Sequence, residues 1–566
     1  MLRSNYFSAK FLLLMLASSL AFIFVFIPNQ CQAEIYKWRD ARGVTQYADS
    51  LPADTSARST HNEIINDLQA AKNNDFCILP TAKKLIQLEH ADFLSANIAS
   101  KHDSTSKPLR FNQYLPLNTT SLFNVGGKTI TAFANPIKTA QIPALPILSA
   151  PLTSAPNAVS ASAAAPVGHI FYIALNGNNN NPGTQALPWR NLNHAVYAMR
   201  AGDTVLVKNG TYAESLYINR SGAAGKPITY KAYPGHTPKI EINKKDLEGI
   251  LIQGASYIHV EGFEVIYTAP GAEAAKGEQV DNGIDISNAG QTLPHHIMIK
   301  NNKVHGFPGG GIFTVLADYV TFEGNTVWQN ALWAKWGNSG ISMYQNVNVD
   351  EKQGYHMVIR GNTVYKNENK LPSYAIGSTT ITDGNCIIID DLRHTQKFLE
   401  NKTNYAAYKS KTLIENNICY DNGARGIHVY SSDNVLVRHN TLYKNQRTAS
   451  INDGELSAYD AKNIRFVNNI VYAIPGKKAN GTGNVSNVIF ERNLYFGTTS
   501  IPNKAANDII ADPLFVRPSL DATIANFKLR AGSPAIDTAL ANKSPAIDIS
   551  GAPRSAKPDI GAWEFR

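Results

Sequence analysis

The side chains able to do chemistry crowd into six short segments that share one pattern. They are GIDIS (283–287), GIFTV (311–315), GISMY (340–344), CIIID (386–390), GIHVY (426–430) and ELSAY (455–459). The second and fourth residues are mostly apolar, whereas the third and fifth are often polar or aromatic. In an extended chain, successive side chains point to opposite sides, so the third and fifth share an outward face. Aligned, the third positions form one column: Asp285, Phe313, Ser342, Ile388, His428 and Ser457. The fifth positions form the next: Ser287, Val315, Tyr344, Asp390, Tyr430 and Tyr459. With segments stacked about 4.8 Å apart, Tyr344, Asp390 and Tyr430 are consecutive neighbours, and His428 lies beside Tyr430. Three tyrosines, a carboxylate and an imidazole in adjacent turns suit a sugar, with aromatic faces to stack and polar tips to bond.

Those segments need something to stack them, and a repeat supplies it. Seven stretches match apolar-x-apolar-x-x-Asn-x-apolar or nearly so: IMIKNNKV, VTFEGNTV, MVIRGNTV, TLIENNIC, VLVRHNTL, IRFVNNIV and VIFERNLY. The shared residues are Asn302, Asn325, Asn362, Asn417, Asn440, Asn469 and Asn493, spaced 23, 37, 55, 23, 29 and 24 apart. A base period near 23 is too short for a propeller blade and lacks helical periodicity. It fits one turn of a parallel β-helix, with the Asn side chains bonding from turn to turn as in amide ladders. The longer spacings are insertions beside the outward columns: 330–339 with 346–355, then 368–384, with 391–411 as a third wall. Insertions that interrupt a repeat tend to cluster on a binding face. They bring Trp333, Lys335, Trp336, Asp383, Arg393 and His394 near the columns, and Arg425 precedes the His428 segment.

The ends carry a resemblance. FYIALNGNNNNPGTQALPW (171–189), AGDTVLVKNGTYAESLYI (201–218) and GKPITYKAYPG (225–235) resemble the first turns of bacterial right-handed parallel β-helix proteins of the pectate-lyase-like superfamily. ADPLFV (511–516), AGSPAID (531–537) and KPDIGAWEF (557–565) resemble their closing segment. Asn191 to Arg200 is expected to be an amphipathic cap over the open end. The resemblance spans 168–566 and implies an all-β fold: a right-handed parallel β-helix over 168–510 with a C-terminal closing segment over 511–566.

The same resemblance implies cleavage of an acidic, uronate-containing polysaccharide by β-elimination. The proton beside a uronate carboxylate is weakly acidic, so its removal needs a base and positive charge on the carboxylate. Lys335 or His428 is the expected base, and Tyr344 or Tyr430 the donor to the leaving oxygen. Arg393 and Arg425 would hold the carboxylate. Asp383, Asp390 and Asp391 would bind Ca²⁺, although neighbours such as Asp390 and Asp391 face opposite ways on a regular strand. Trp333, Trp336, Ser342, Tyr459 and His394 would contact substrate. A glycoside hydrolase or uronate epimerase on the same fold, and a non-catalytic polysaccharide-binding envelope protein, remain alternatives. No calcium-lyase motif lays onto the chain residue by residue, and the Gly-His-Gly segment of polygalacturonases is absent.

The N-terminus points outside the cytoplasm. Residues 1–33 read as a signal peptide, with an apolar run from Phe11 to Ile27 and Cys31-Gln32-Ala33 before the cut. Arg3 and Lys10 are its only charges, so its removal takes the net charge from +9 to +7 and leaves no stable membrane span. Residues 34–55, EIYKWRDARGVTQYADSLP onward, resemble the small domain of unknown function DUF4124 found behind bacterial signal peptides. That implies export in a Gram-negative envelope: periplasm, cell surface or medium. A weakly helical stretch (56–105) and a Pro/Ala/Ser-rich linker (106–167) follow.

Composition bounds the rest. The chain has 566 residues, 43% hydrophobic and 17% charged, which excludes global disorder. Four cysteines exclude a disulfide scaffold, and the three left after cleavage (Cys77, Cys386 and Cys419) require at least one free thiol. The basic balance favours an acidic polysaccharide or exopolysaccharide as partner. Nucleic acid is not expected, because no basic run stands out and the chain is exported. P-loop, His-Glu-x-x-His and Gly-x-Ser-x-Gly motifs are absent. The protein is expected to act as a monomer.

Overall fold

The computed structural model describes residues 36–39, 45–48, 122–125, 128–131, 168–271, 281–396 and 405–566. The expected signal peptide and the weakly helical stretch lie outside these residues. The chain divides into Met1–Ser154 and Ala155–Arg566. In the first unit Tyr36–Arg39 pairs antiparallel with Thr45–Ala48. A second antiparallel pair, Leu122–Val125 with Lys128–Thr131, falls inside the expected linker. Its signal was present: apolar and β-branched residues on both sides of Gly126-Gly127, a dipeptide suited to tight hairpins.

The second unit is a parallel β-helix. Three parallel sheets of 11, 9 and 11 strands run its length, and each strand bonds to those one turn before and one turn after. Inward positions carry the core, from Ile173 through Val260, Ile299 and Ile359 to Val437 and Phe466. Both faces of each turn follow from the alternation in the sequence. The expected N-terminal cap is the helix α1 (Leu192–Ala198), with Leu192, Ala195 and Val196 buried over the first turns.

Asparagine ladders pin the turns. Asn325 donates through its backbone N and Nδ2 to Asn362 Oδ1 (2.9 and 3.0 Å), and Asn362 does the same to Asn417 Oδ1 (both 2.9 Å). The chain of bonds runs from Asn302 to Asn493 and ends on Asp508 Oδ1. A second ladder, which the repeat analysis missed, runs Asn330, Asn367, Asn422, Asn445 and ends on Glu455. Each member of its first four turns lies five residues after a member of the first ladder, as in GNTVWQN and GNTVYKN. The side-chain amides of both ladders are thereby satisfied, which the low-dielectric interior demands.

The closing segment lies along a flank. Phe515, Phe527 and Leu529 pack on the outward side chains Tyr420 and Tyr443, carried by the strands Ile418–Tyr420 and Thr441–Tyr443 of one 11-stranded sheet, in a second apolar cluster. Cys386 and Cys419 form a disulfide between two sheets. Cys386 immediately precedes the strand that carries Asp390. A crosslink closing a 33-residue separation is expected to stabilise by about 4 kcal/mol on loop-closure entropy alone. Paired Cys386→Ala and Cys419→Ala substitution should lower the unfolding free energy from urea titration by an amount of that order, read as a lower midpoint. An unchanged midpoint would show that the bond restrains nothing the fold does not already fix.

Candidate functional site

The nine-stranded sheet carries the site. Its strands in chain order are β1 (Leu216–Ile218), β2 (Ile250–Gln253), β3 (Ile284–Ser287), β4 (Ile312–Val315), β5 (Ile341–Tyr344), β6 (Ile387–Asp390), β7 (Ile427–Tyr430), β8 (Leu456–Tyr459) and β9 (Asn480–Gly483). Their register pairs Asp285 with Phe313, Phe313 with Ser342, Ser342 with Ile388, Ile388 with His428 and His428 with Ser457. It likewise pairs Val315, Tyr344, Asp390, Tyr430 and Tyr459 in succession. The β3–β4 ladder ends at Ile286 and Thr314, so Ser287 does not pair with Val315.

A cleft of about 1030 Å³ opens over this face. Its floor is the two columns from Asp285 to Tyr430. Trp336, Gly337 and Asn338 of the 330–339 insertion wall it, with Ile376, Thr382 and Asp383 of the 368–384 insertion. Gln396 reaches in from the third wall. The 346–355 insertion contributes no lining residue. It packs instead around buried Asp318, which accepts the Val349 amide and His356 Nδ1.

Eight of the expected site residues line the cleft: Trp336, Ser342, Tyr344, Asp383, Asp390, Arg425, His428 and Tyr430. The other six do not. Arg393 is held by Asp433 at 2.6 Å, and His394 Nε2 lies 3.0 Å from the Asn346 carbonyl oxygen. Lys335 rests its ammonium 5.9 Å from the centre of the Trp336 ring. Trp333 is tied by its backbone to Pro308. Tyr459 lies one turn beyond Tyr430 in the outward column, its ring 5.9 Å from that of His428. Asp391 accepts four hydrogen bonds, from Thr395 N, Thr395 Oγ1, Gln396 N and Gln345 Nε2. It is fully buried and shapes the loop that delivers Gln396.

Burial sets the electrostatics. His428 is 5% exposed, with Nδ1 2.8 Å from Ser457 Oγ. Burial, reinforced by the Arg425 charge, holds its pKa well below the usual imidazole value, so the ring is neutral. Asp390 is pushed well up by burial and then by the nearby Asp383 and Asp391 carboxylates. Gln396 Nε2 donates to Asp390 Oδ1 at 3.1 Å. Asp383 is also raised by burial, with Arg425 pulling the other way. Burial and then Asp390 and Asp391 raise Tyr344, and burial raises Tyr430, so both phenols stay protonated. Arg425 pairs with Asp453 and donates to the Thr382 carbonyl. Asp285 is raised to about 6, mainly by burial. Asn282, Asn338 and Gln396 come from irregular segments and carried no periodic signal in the sequence.

Ca²⁺ takes six to eight oxygen ligands, more than these side chains offer. Both Asp391 oxygens are occupied. Asp383 accepts the Thr382 hydroxyl and the Asn385 amide, both at 2.7 Å. Among the described residues no group of three or more His, Cys, Asp or Glu side chains is arranged to hold a metal. Asp383 and Asp390 alone supply fewer oxygen donors than the ion takes, so no step is routed through it.

Residues 22–62 match the domain of unknown function DUF4124. An uncharacterized protein of Bacillus subtilis (strain 168), YwoF, is 26% identical over 360 residues, covering 54% of this chain and 75% of that protein. The crystal structure of pectate lyase Pel9A is 17% identical with a TM-score of 0.43, over 71% of this chain and 97% of that one. A rhamnogalacturonan lyase is 17% identical with a TM-score of 0.39, over 64% and 97%. Residues 171–463, more than half of the chain, match the profile of the Pel9A-like right-handed β-helix region, and the chain belongs to that family.

Proposed function

We propose that the protein is an exported, monomeric polysaccharide lyase that cleaves a uronate-containing chain by β-elimination in the cleft over β3–β7. The carrying observation is a buried neutral imidazole, His428, beside the protonated phenol of Tyr430. With Nδ1–H donating to Ser457 Oγ, Nε2 of His428 keeps its lone pair for the proton beside the uronate carboxylate. Tyr430 or Tyr344 supplies a proton to the leaving oxygen. Arg425 neutralises the carboxylate as charge moves onto it, and the Gln396 amide can donate a hydrogen bond to it. Asp390, held protonated by burial, does not repel the polyanion. Export rests on the N-terminal leader; among the described residues no helix is long and apolar enough to cross a membrane.

A hydrolase is the second reading, favoured by one observation. Asp383 lies close enough to Asp390 to raise its pKa, and hydrolysis needs one protonated and one ionised carboxyl flanking the bond. One assay separates the two. Purified protein is incubated with polyuronates and bacterial exopolysaccharides, with Ca²⁺ or with chelator. Elimination yields ultraviolet-absorbing unsaturated ends and persists in chelator. New reducing ends without that absorbance would move the assignment to hydrolysis. Binding with neither product would leave a non-catalytic protein.

A further inference from the structure

At the end of the cleft farthest from His428, one amide is locked. Asn282 Oδ1 accepts from the Gly310 backbone N (2.6 Å) and from Asn338 Nδ2 (3.3 Å). A backbone N–H can only donate, which fixes the orientation of Asn282. Its Nδ2 therefore donates to Asp285 Oδ2, at 2.8 Å. Asp285 is only 7% exposed, yet its Oδ1 has no partner of regular geometry among the described residues. The Ser287 hydroxyl is its other polar neighbour. Asn338 Oδ1 is equally unmet. Buried polar atoms are normally satisfied, so two orphan acceptors in one cleft wall call for a donor from outside.

The surroundings say what kind of donor. Phe313 is the next residue in the column beyond Asp285, and Trp336 stands on the wall. Two acceptors flanked by aromatic rings match a sugar whose hydroxyls donate and whose C–H face lies on a ring. A uronate does not suit this place. Glu248 also lines this end, and Asp285 is ionised above about pH 6. We propose that this end of the cleft is a subsite for an uncharged sugar, which donates hydroxyl hydrogen bonds to Asp285 and Asn338. The substrate is then a heteropolysaccharide in which neutral sugars accompany the uronate. Three strand spacings, roughly 14 Å, separate the turns of Asp285 and Asp390, so this sugar is not the one undergoing elimination. The inference rests on the cleft being a polysaccharide groove.

The test compares gellan, which joins glucuronate to neutral sugars, with polygalacturonate. The full-length mature protein is expected to prefer gellan in kcat/KM. Asp285→Asn turns an acceptor into a donor and should cut the gellan-to-polygalacturonate ratio about tenfold, chiefly through KM. Asn338→Ala should act in the same direction, and matched thermal melts exclude misfolding. An unchanged ratio in both variants overturns the subsite, as does a wild-type preference for polygalacturonate. Affinity electrophoresis of His428→Ala, with and without Asp285→Asn, reads the subsite without catalysis. A gellan preference lost with Asp285 but without unsaturated product leaves the subsite standing and removes the lyase reading. Unsaturated product with an unchanged ratio does the reverse, and binding to neither polymer overturns the subsite.

Discussion

Replacing His428 by alanine should lower kcat/KM for the cleaved polysaccharide by about 10²–10⁴-fold, the usual contribution of a positioned general base. The loss should fall mainly on kcat, because the ring's task is proton transfer and the sugar is held by the wider groove. The pH profile carries a second signature. Burial and Arg425 hold the His428 pKa well below 6.5, so the base is already free at neutral pH. The acid limb of the wild-type profile should therefore lie below pH 6.5. Ser457 is a positioning residue: its hydroxyl fixes one ring nitrogen and touches no reacting atom. Ser457→Ala should lower kcat modestly and move the acid limb, with KM held. A His428→Ala enzyme that retains full kcat would remove the imidazole from the chemistry and direct attention to the tyrosines.

The outward columns were legible because two periodicities reinforce each other. Alternation along each strand chooses the face, and the Asn repeat chooses the register, so Ser342, Ile388 and His428 had one consistent alignment. The insertions had no such rule. The path of a loop depends on partners far away in sequence, which is why Arg393 turns to Asp433 and His394 to Asn346. The same applies to Asp391. On a regular strand it must face away from Asp390, and the structure gives it a loop to hold instead. The disulfide needed the registers of two different sheets at once, which Cys386 and Cys419 as isolated letters do not supply. The second asparagine ladder was readable, since its five-residue offset recurs in four turns.

That second ladder ends on a buried acid, and the acid should make stability depend on pH. Glu455 is fully buried and accepts from Asn445 N (2.7 Å) and Asn445 Nδ2 (2.8 Å), one residue before β8. Burial raises its pKa from 4.5 to about 8 against the pull of those two donors. In the unfolded chain it titrates near the ordinary value. Between about pH 4.5 and 8 the native state therefore holds more protons than the unfolded state, and stability falls as pH rises. The contribution is full below pH 4.5 and gone above about 8. Buried neutral His428 and His439 act in the opposite sense at acid pH, where the unfolded chain takes up their protons. A difference between two proteins isolates the glutamate. Glu455→Gln sets an NH₂ against one Asn445 donor and loses a hydrogen bond, about 1 kcal/mol at low pH. The variant cannot ionise, so it should overtake the wild type as pH rises. Urea unfolding of both proteins at pH 5 and pH 9 should show their stability difference changing by about 4 kcal/mol, the three units from pH 5 to 8 at 1.36 kcal/mol each. A difference that stays constant across that range would mean that Glu455 is ionised throughout, with the ladder amides outweighing its burial.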